Sequence, residues 1–178
     1  DGPAGTSLGP VEGVVFDTDG VITRTVDTHR ASWKRLFDDV LARRDGDGFE
    51  PFSNEDYLAY VDGRPRYDGV EGFLTSRGIE MVRGDRADAP EAETICGLGN
   101  RKDGYFRDEV DRHGVEVYDT TMTVVRALRG LGVAMAAVSA SENQRLVLES
   151  AGITDVFDVL VDGVMARKLG LVGKPDPA

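Results

Sequence analysis

The chain has 178 residues, 40% hydrophobic and 30% charged, enough to close the core of one domain that carries an insertion. A formal net charge of −11 opposes broad contact with nucleic acid, and no apolar run reaches the roughly 20 residues that span a bilayer, so neither partner is expected. The single cysteine, Cys96, excludes an internal disulfide or a cysteine zinc site and fits a reducing, cytoplasmic location.

Asp1 to Pro10 lacks the basic and apolar regions of a signal peptide. The chain opens without Met and stops at Lys174-Pro175-Asp176-Pro177-Ala178, so a piece of a longer polypeptide is expected. Gly13-Val14-Val15-Phe16 reads as a short buried strand that ends at the turn Asp17-Thr18-Asp19-Gly20. Trp33, Leu36, Phe37, Val40 and Leu41 then recur at helical spacing, with Asp27 or Thr28 as N-cap and Gly46 past the end. Asp45-Gly46-Asp47-Gly48 reads as a loop, and the missing acidic positions after it exclude a calcium loop.

From Asn54 to about His113 the chain is rich in charge. Val70, Phe73 and Leu74, then Tyr105, Phe106 and Val110, predict a mostly helical insertion with a flexible loop near Arg83 to Pro90. Arg83-Gly84-Asp85 is a solvated turn, and Gly97-Leu98-Gly99 lacks the third glycine and the leading strand of a dinucleotide site. Met122, Val125, Leu128 and Leu131 form a helix face ended by Gly132. Val133 to Val138 is an apolar strand ending at Ser139, and Leu146, Val147 and Ala151 mark a helix closed by Gly152. A third strand around Val156 to Val161 and a loop to Lys174 complete the alternation. The pattern predicts an α/β fold with a Rossmann-like parallel sheet core, 11–25 and 115–178, and a mostly helical cap, 26–114, inserted after the first strand.

Parallel sheets hold their sites at the carboxyl ends of strands, where Asp17 and Ser139 both fall. Asp17 and Asp19 are two apart, so extended backbone points them to one side. Two carboxylates there can divide labour between attack on phosphorus and proton transfer, with Mg²⁺ relieving their repulsion. The same residues also suit a simple Asx turn capped by Gly20. Ser139 can hold a phosphoryl oxygen, with the amides of Ala140 and Ser141 opening the next helix as an anion seat, and Lys174 can neutralise the transferring group. Read singly, Ser139 is a turn or cap residue and Lys174 a solvated lysine.

These motifs in this order, Phe16-Asp17-Thr18-Asp19-Gly20-Val21, then Val138-Ser139, then Gly173-Lys174-Pro175-Asp176-Pro177, resemble the haloacid dehalogenase superfamily of phosphohydrolases and phosphomutases. Thr23, Thr25, His29 and Trp33, then Val61-Asp62-Gly63 with Arg66, Asn100-Arg101-Lys102-Asp103 and Ser139-Ala140-Ser141-Glu142-Asn143, are similar to the beta-phosphoglucomutase-like subfamily. The resemblance implies Asp17 as phosphorylated nucleophile and Asp19 as general acid/base. Asp17 and Asp19 would hold Mg²⁺, the latter through its carbonyl. Ser139 and Lys174 would hold the transferring phosphoryl group. His29 and Lys102 would lie near the reacting sugar, Thr25 would help bind the substrate, and Arg66, Ser141 and Asn143 would lie at its distal phosphate. The plain alternatives make His29 a packed helix residue, Arg66 and Lys102 surface charges, and Ser141 and Asn143 helix caps; His113 has no assigned role.

Three positions depart from the family pattern. Arg24 replaces an Asp, Glu142 replaces a phosphate-binding Lys, and the downstream acidic motif would fall after Ala178, which predicts weak metal binding for these 178 residues alone. The expected activity is Mg²⁺-dependent isomerisation of a small phosphorylated sugar by a monomer or weak homo-oligomer. A sugar phosphatase is the alternative, and a non-catalytic ligand-binding or regulatory module is the third reading.

Overall fold

The structure, a computed structural model, describes residues 11–172; Lys174 and its neighbours lie outside them. Strand β1, Gly13–Asp17, pairs in parallel with β2, Ala134–Val138, which pairs in parallel with β3, Val159–Val161. Parallel pairing requires long crossovers, and the 116-residue span between β1 and β2 supplies most of the helices. These are α1 (Val26–Asp45), the single turn α2 (Asn54–Asp56) running on as a π turn (Tyr57–Val61), α3 (Arg66–Ser76) and α4 (Ile95–His113), followed by α5 (Asp119–Gly130). After β2 come α6 (Gln144–Ser150) and, past β3, α7 (Gly163–Lys168).

Two apolar clusters divide the interior. One, built on α1, α3 and the start of α4, centres on Trp33, Phe37, Phe52, Phe73 and Leu98. The other lies on the sheet and includes Ile22, Met122, Met135, Ala137, Leu148 and Phe157. Phe106 and Val110 of α4 pack with Val147 of α6 and join the helical insertion to the sheet layer. Among the described residues no helix is long and apolar enough to cross a membrane.

Several local expectations are corrected. Helix α1 begins at Val26 with Thr25, not Asp27 or Thr28, at its N-cap, and no side chain caps it, because the Thr25 hydroxyl is engaged elsewhere. Asp45-Gly46-Asp47-Gly48 ends α1 and forms a 3₁₀ turn. Strand β3 is shorter than 156–161: Thr154–Val156 is a 3₁₀ turn, and the Asp158 carboxylate accepts the Met135 amide (2.8 Å) and pairs with Arg129 (2.6 Å). The segment after β3 is α7 and not loop, its Asp162 side chain capping the Met165 amide.

Candidate active site

The β1–β2 register sets Asp17 beside Val138, so Asp17 and Ser139 leave the sheet at the same edge. The chain after Asp17 folds back at once: the Thr18 carbonyl accepts from the amides of Ile22 and Thr23 (both 3.0 Å), and the Gly20 amide donates to the Thr23 carbonyl (2.8 Å). Gly20 has φ of +81°, and a Cβ there would lie 2.8 Å from Val26, so both conformation and space call for glycine. The fully buried Thr18 hydroxyl donates to the Val138 carbonyl (3.1 Å) and accepts from Gln144 (2.8 Å). Its neighbours Asp17 and Asp19 both line a cavity of about 120 Å³.

Asp19 is gripped from three sides. Ser139 Oγ donates to its Oδ2 (2.9 Å), Thr25 Oγ1 donates to its Oδ1 (2.5 Å), and His29 Nε2 lies 3.4 Å from that same Oδ1. Burial alone would push the Asp19 carboxyl up, but the donors His29, Thr25 and Ser139 together outweigh it and hold the group well below the usual carboxylate range. Asp19 is therefore ionised in this arrangement.

Above it, the His29 ring stacks on Phe106 (4.1 Å between centroids), and Lys102 Nζ sits 2.8 Å from His29 Nδ1 and over the rings of Trp33 and Phe106 (5.0 and 4.9 Å). Burial pushes the Lys102 ammonium down to about 7 against the pull of Asp103. Burial also lowers His29, and the Lys102 charge acts in the same sense against Asp19. A Lys102 proton donated to Nδ1 leaves the neutral imidazole with its own proton on Nε2, facing Asp19. Because Lys102 holds its proton less tightly folded than unfolded, the unfolded chain carries more protons between pH 7 and 10.5, and stability rises with pH across that window. Thermal melts from pH 7 upward should show this rise, and Lys102→Met should flatten it; an unchanged slope in the variant would assign it to other groups.

At the other end of the cavity Arg66 Nη1 pairs with Asp103, and its Nη2 donates to Glu142 Oε2 (2.6 Å). Burial would weaken the Arg66 charge, but Asp103 and Glu142 outweigh that cost and hold its pKa above the usual arginine value. Asn143 donates through Nδ2 to Asp103 (2.5 Å), and the Ser141 hydroxyl accepts the Asn143 amide (3.1 Å). The Ser141 amide donates to Ser139 Oγ (2.9 Å) and α6 starts only at Gln144, so the expectation that Ala140 and Ser141 open that helix is corrected.

One cavity thus gathers Asp17, Asp19, His29, Arg66, Lys102, Ser139, Ser141 and Asn143. Thr25 reaches it only through Asp19, and Lys174 lies outside the described residues. Arg66 and Lys102 are not surface charges, since the Arg66 side chain is 15% exposed and Lys102 is 4% exposed. The sequence assigned no role to Asp103, whose only signal is adjacency to Lys102, nor to Tyr57, which also lines the cavity, and Phe106, on which His29 stacks, both of which resemble ordinary core residues. Arg24 stacks on Tyr118 (4.7 Å), and its amide donates to the Glu116 carbonyl (2.8 Å).

A short strand leading into paired aspartates, a second leading into serine, and a helical insertion lining the same cavity define the class of α/β protein. The chain belongs to the haloacid dehalogenase-like hydrolase family, whose model matches residues 11–178. Within it the chain is similar to a beta-phosphoglucomutase of Mycobacterium bovis (strain ATCC BAA-935 / AF2122/97), 41% identical over 171 residues that cover 94% of this chain and 65% of the relative. It is also 32% identical over 170 residues to an uncharacterized glycosyl hydrolase of Mycobacterium tuberculosis (strain CDC 1551 / Oshkosh), covering 94% of this chain and 12% of that protein. Among solved structures, a beta-phosphoglucomutase from Clostridium difficile shares the fold with a TM-score of 0.68 at 21% identity, over 91% of this chain and 72% of that one. The chain thus spans about two thirds of the length of the beta-phosphoglucomutases it matches.

Proposed function

We propose that the protein transfers a phosphoryl group through an aspartyl-phosphate on Asp17, with a sugar phosphate as substrate and a beta-phosphoglucomutase reaction as the preferred outcome. The observation that carries this reading is the single cavity on which Asp17, Asp19 and Ser139 from the sheet edge meet His29, Arg66 and Lys102 from the helices. The reading takes 26–114 as a cap over a core of 11–25 and 115–178, which agrees with the separate apolar clusters of the two parts.

In the first step a carboxylate oxygen of Asp17 bonds to phosphorus as the bond from phosphorus to the ester oxygen breaks. The leaving oxygen needs a proton, and Asp19 stands beside Asp17 on the cavity wall to supply it. Three donors keep Asp19 ionised, so it carries that proton only when at least one of them withdraws. In the second step the ionised Asp19 takes a proton from the incoming hydroxyl as that oxygen attacks the phosphorus of the acyl phosphate, and the Asp17 carboxylate is released. Buried Lys102 and His29 fix the Asp19 side chain and keep water from its flank.

The donor set fits Mg²⁺, a hard cation that binds through one or two carboxylates, phosphate oxygens and water. The Asp17 carboxylate and the Asp19 carbonyl would hold it. Among the described residues no group of three His, Cys, Asp or Glu is placed to hold a metal ion by itself. When bound, it neutralises charge on the transferring phosphoryl group.

Phosphorus NMR of the full-length protein with Mg²⁺, beta-glucose 1-phosphate and a trace of the bisphosphate tests the proposal. Accumulation of glucose 6-phosphate is expected. Release of inorganic phosphate instead would favour a sugar phosphatase, a reading supported by the Glu142 carboxylate on Arg66, and silence from both would refute the enzyme reading.

A further inference from the structure

Asp17 and Asp19 line the cavity, whereas Thr18 between them is turned away from it and fully buried. There its side chain joins two segments that lie 120 positions apart in sequence. Gln144, 1% exposed at the start of α6, donates through Nε2 to Thr18 Oγ1 (2.8 Å). Thr18 Oγ1 in turn donates to the Val138 carbonyl (3.1 Å), which also accepts the Thr18 amide (3.1 Å). Val138 leads directly into Ser139, whose hydroxyl donates to Asp19 Oδ2 (2.9 Å). The turn that carries the two aspartates and the segment from Ser139 to Gln144 are thus tied twice, by Ser139 on the cavity side and by Gln144 from behind.

Stability alone does not call for an amide at position 144. Gln144 Oε1 is buried with no partner among the described residues, a desolvation cost that leucine would not carry. Nor does the turn need this bond in order to form. Without Gln144 the Thr18 hydroxyl and amide keep the Val138 carbonyl, and the Thr18 carbonyl keeps the amides of Ile22 and Thr23. What the amide adds is a fixed distance between the residue that separates the two aspartates and the helix start that follows Ser139. A buried hydrogen bond of this kind narrows the arrangements open to both segments.

We infer that Gln144 and Thr18 are positioning residues, and that the hydrogen bond between them sets the Asp17 and Asp19 carboxylates against Ser139 for the transfer step. The inference rests on the reading that Asp17 and Asp19 carry out phosphoryl transfer on a sugar phosphate. Neither Gln144 nor Thr18 lines the cavity, so loss of their bond leaves the groups that face the substrate in place chemically and shifts only their alignment. Misalignment of reacting groups lowers kcat, whereas KM follows the contacts that hold the substrate before reaction.

The test is steady-state turnover of beta-glucose 1-phosphate by the full-length protein with Mg²⁺ and a trace of the bisphosphate, counting glucose 6-phosphate and inorganic phosphate alike, beside thermal melts. Gln144→Leu combined with Thr18→Val replaces both partners by apolar groups, so the melting temperature should hold or rise. In that variant kcat is expected to fall about tenfold or more, with KM changed by less than about twofold. Gln144→Leu alone should lower kcat as far as the pair does, because both cut the same bond. Thr18→Ser keeps the hydroxyl and loses a buried methyl, so it should melt lower yet retain most of kcat. A merely structural role would make turnover follow the melting temperature instead. Undiminished kcat in the double variant, or a Thr18→Ser protein as slow as that variant, overturns the inference and leaves the phosphoryl-transfer reading standing. Wild-type protein that forms neither product overturns that reading, and the inference falls with it.

Discussion

Asp17→Asn is expected to lower phosphoryl turnover on the order of 10⁴-fold or more, since an amide cannot form the acyl phosphate and removal of a covalent nucleophile costs factors of that size. The substitution keeps the shape of the side chain at the end of β1, so the melting temperature should barely move. Titration with glucose 6-phosphate should still show binding, because the arginine end of the cavity is untouched. Turnover assays beside calorimetry check both. Retained turnover would remove Asp17 from the nucleophile's role, whereas a wild-type protein that binds but never turns over would favour the non-catalytic module.

The largest effect on stability is expected at Phe73. Its fully buried ring lies 4.1 Å from Phe37, 5.0 Å from Phe52 and 6.2 Å from Tyr60, with the Arg77 guanidinium 5.2 Å above it. Phe73→Ala removes one ring from a mutually packed set that cannot all collapse into the space left, and the expected loss is about 3–5 kcal/mol in urea unfolding. A loss below about 1 kcal/mol would mean that α1 and α3 close the gap by moving together. The sheet cluster shares no residue with this one, so the damage should centre on the helical insertion.

What the sequence disclosed follows the range of the forces involved. The strand into Asp17-Thr18-Asp19-Gly20, the apolar stripe of α1 and the glycines after α5 and α6 are local patterns, and they were legible because hydrogen bonding and burial within a few residues decide them. Helix α7 escaped notice because Gly163–Lys168 is short and has no buried face to leave a periodic signature. The role of Thr25 was only half visible: its place near the site was expected, but its bond to Asp19 depends on how tightly the turn at Gly20 folds back. The ion-pair cluster at Glu142 was out of reach. Arg66 lies 76 positions away in sequence, Arg86 56 and Arg167 25, and no local rule couples such distances.

Gly97-Leu98-Gly99, which is no nucleotide fingerprint, acquires a different meaning from the packing of α4 on α3. A Cβ on Gly99 would lie 2.7 Å from the Tyr67 ring, the ring on which Arg66 and Arg86 rest. Elsewhere in a helix, glycine to alanine is a gain of roughly 1 kcal/mol in propensity; at position 99 the notch is worth more than the propensity. This confines the routes open to divergence. Changes that enlarge residue 99 push on Tyr67 and with it on both Arg66 and Arg86, whereas Arg86 and Arg167, each about half exposed, can be exchanged singly. Descendants of this chain can therefore vary the ion pairs of Glu142 by drift at two surface positions, while the buried glycine beneath Tyr67 stays fixed.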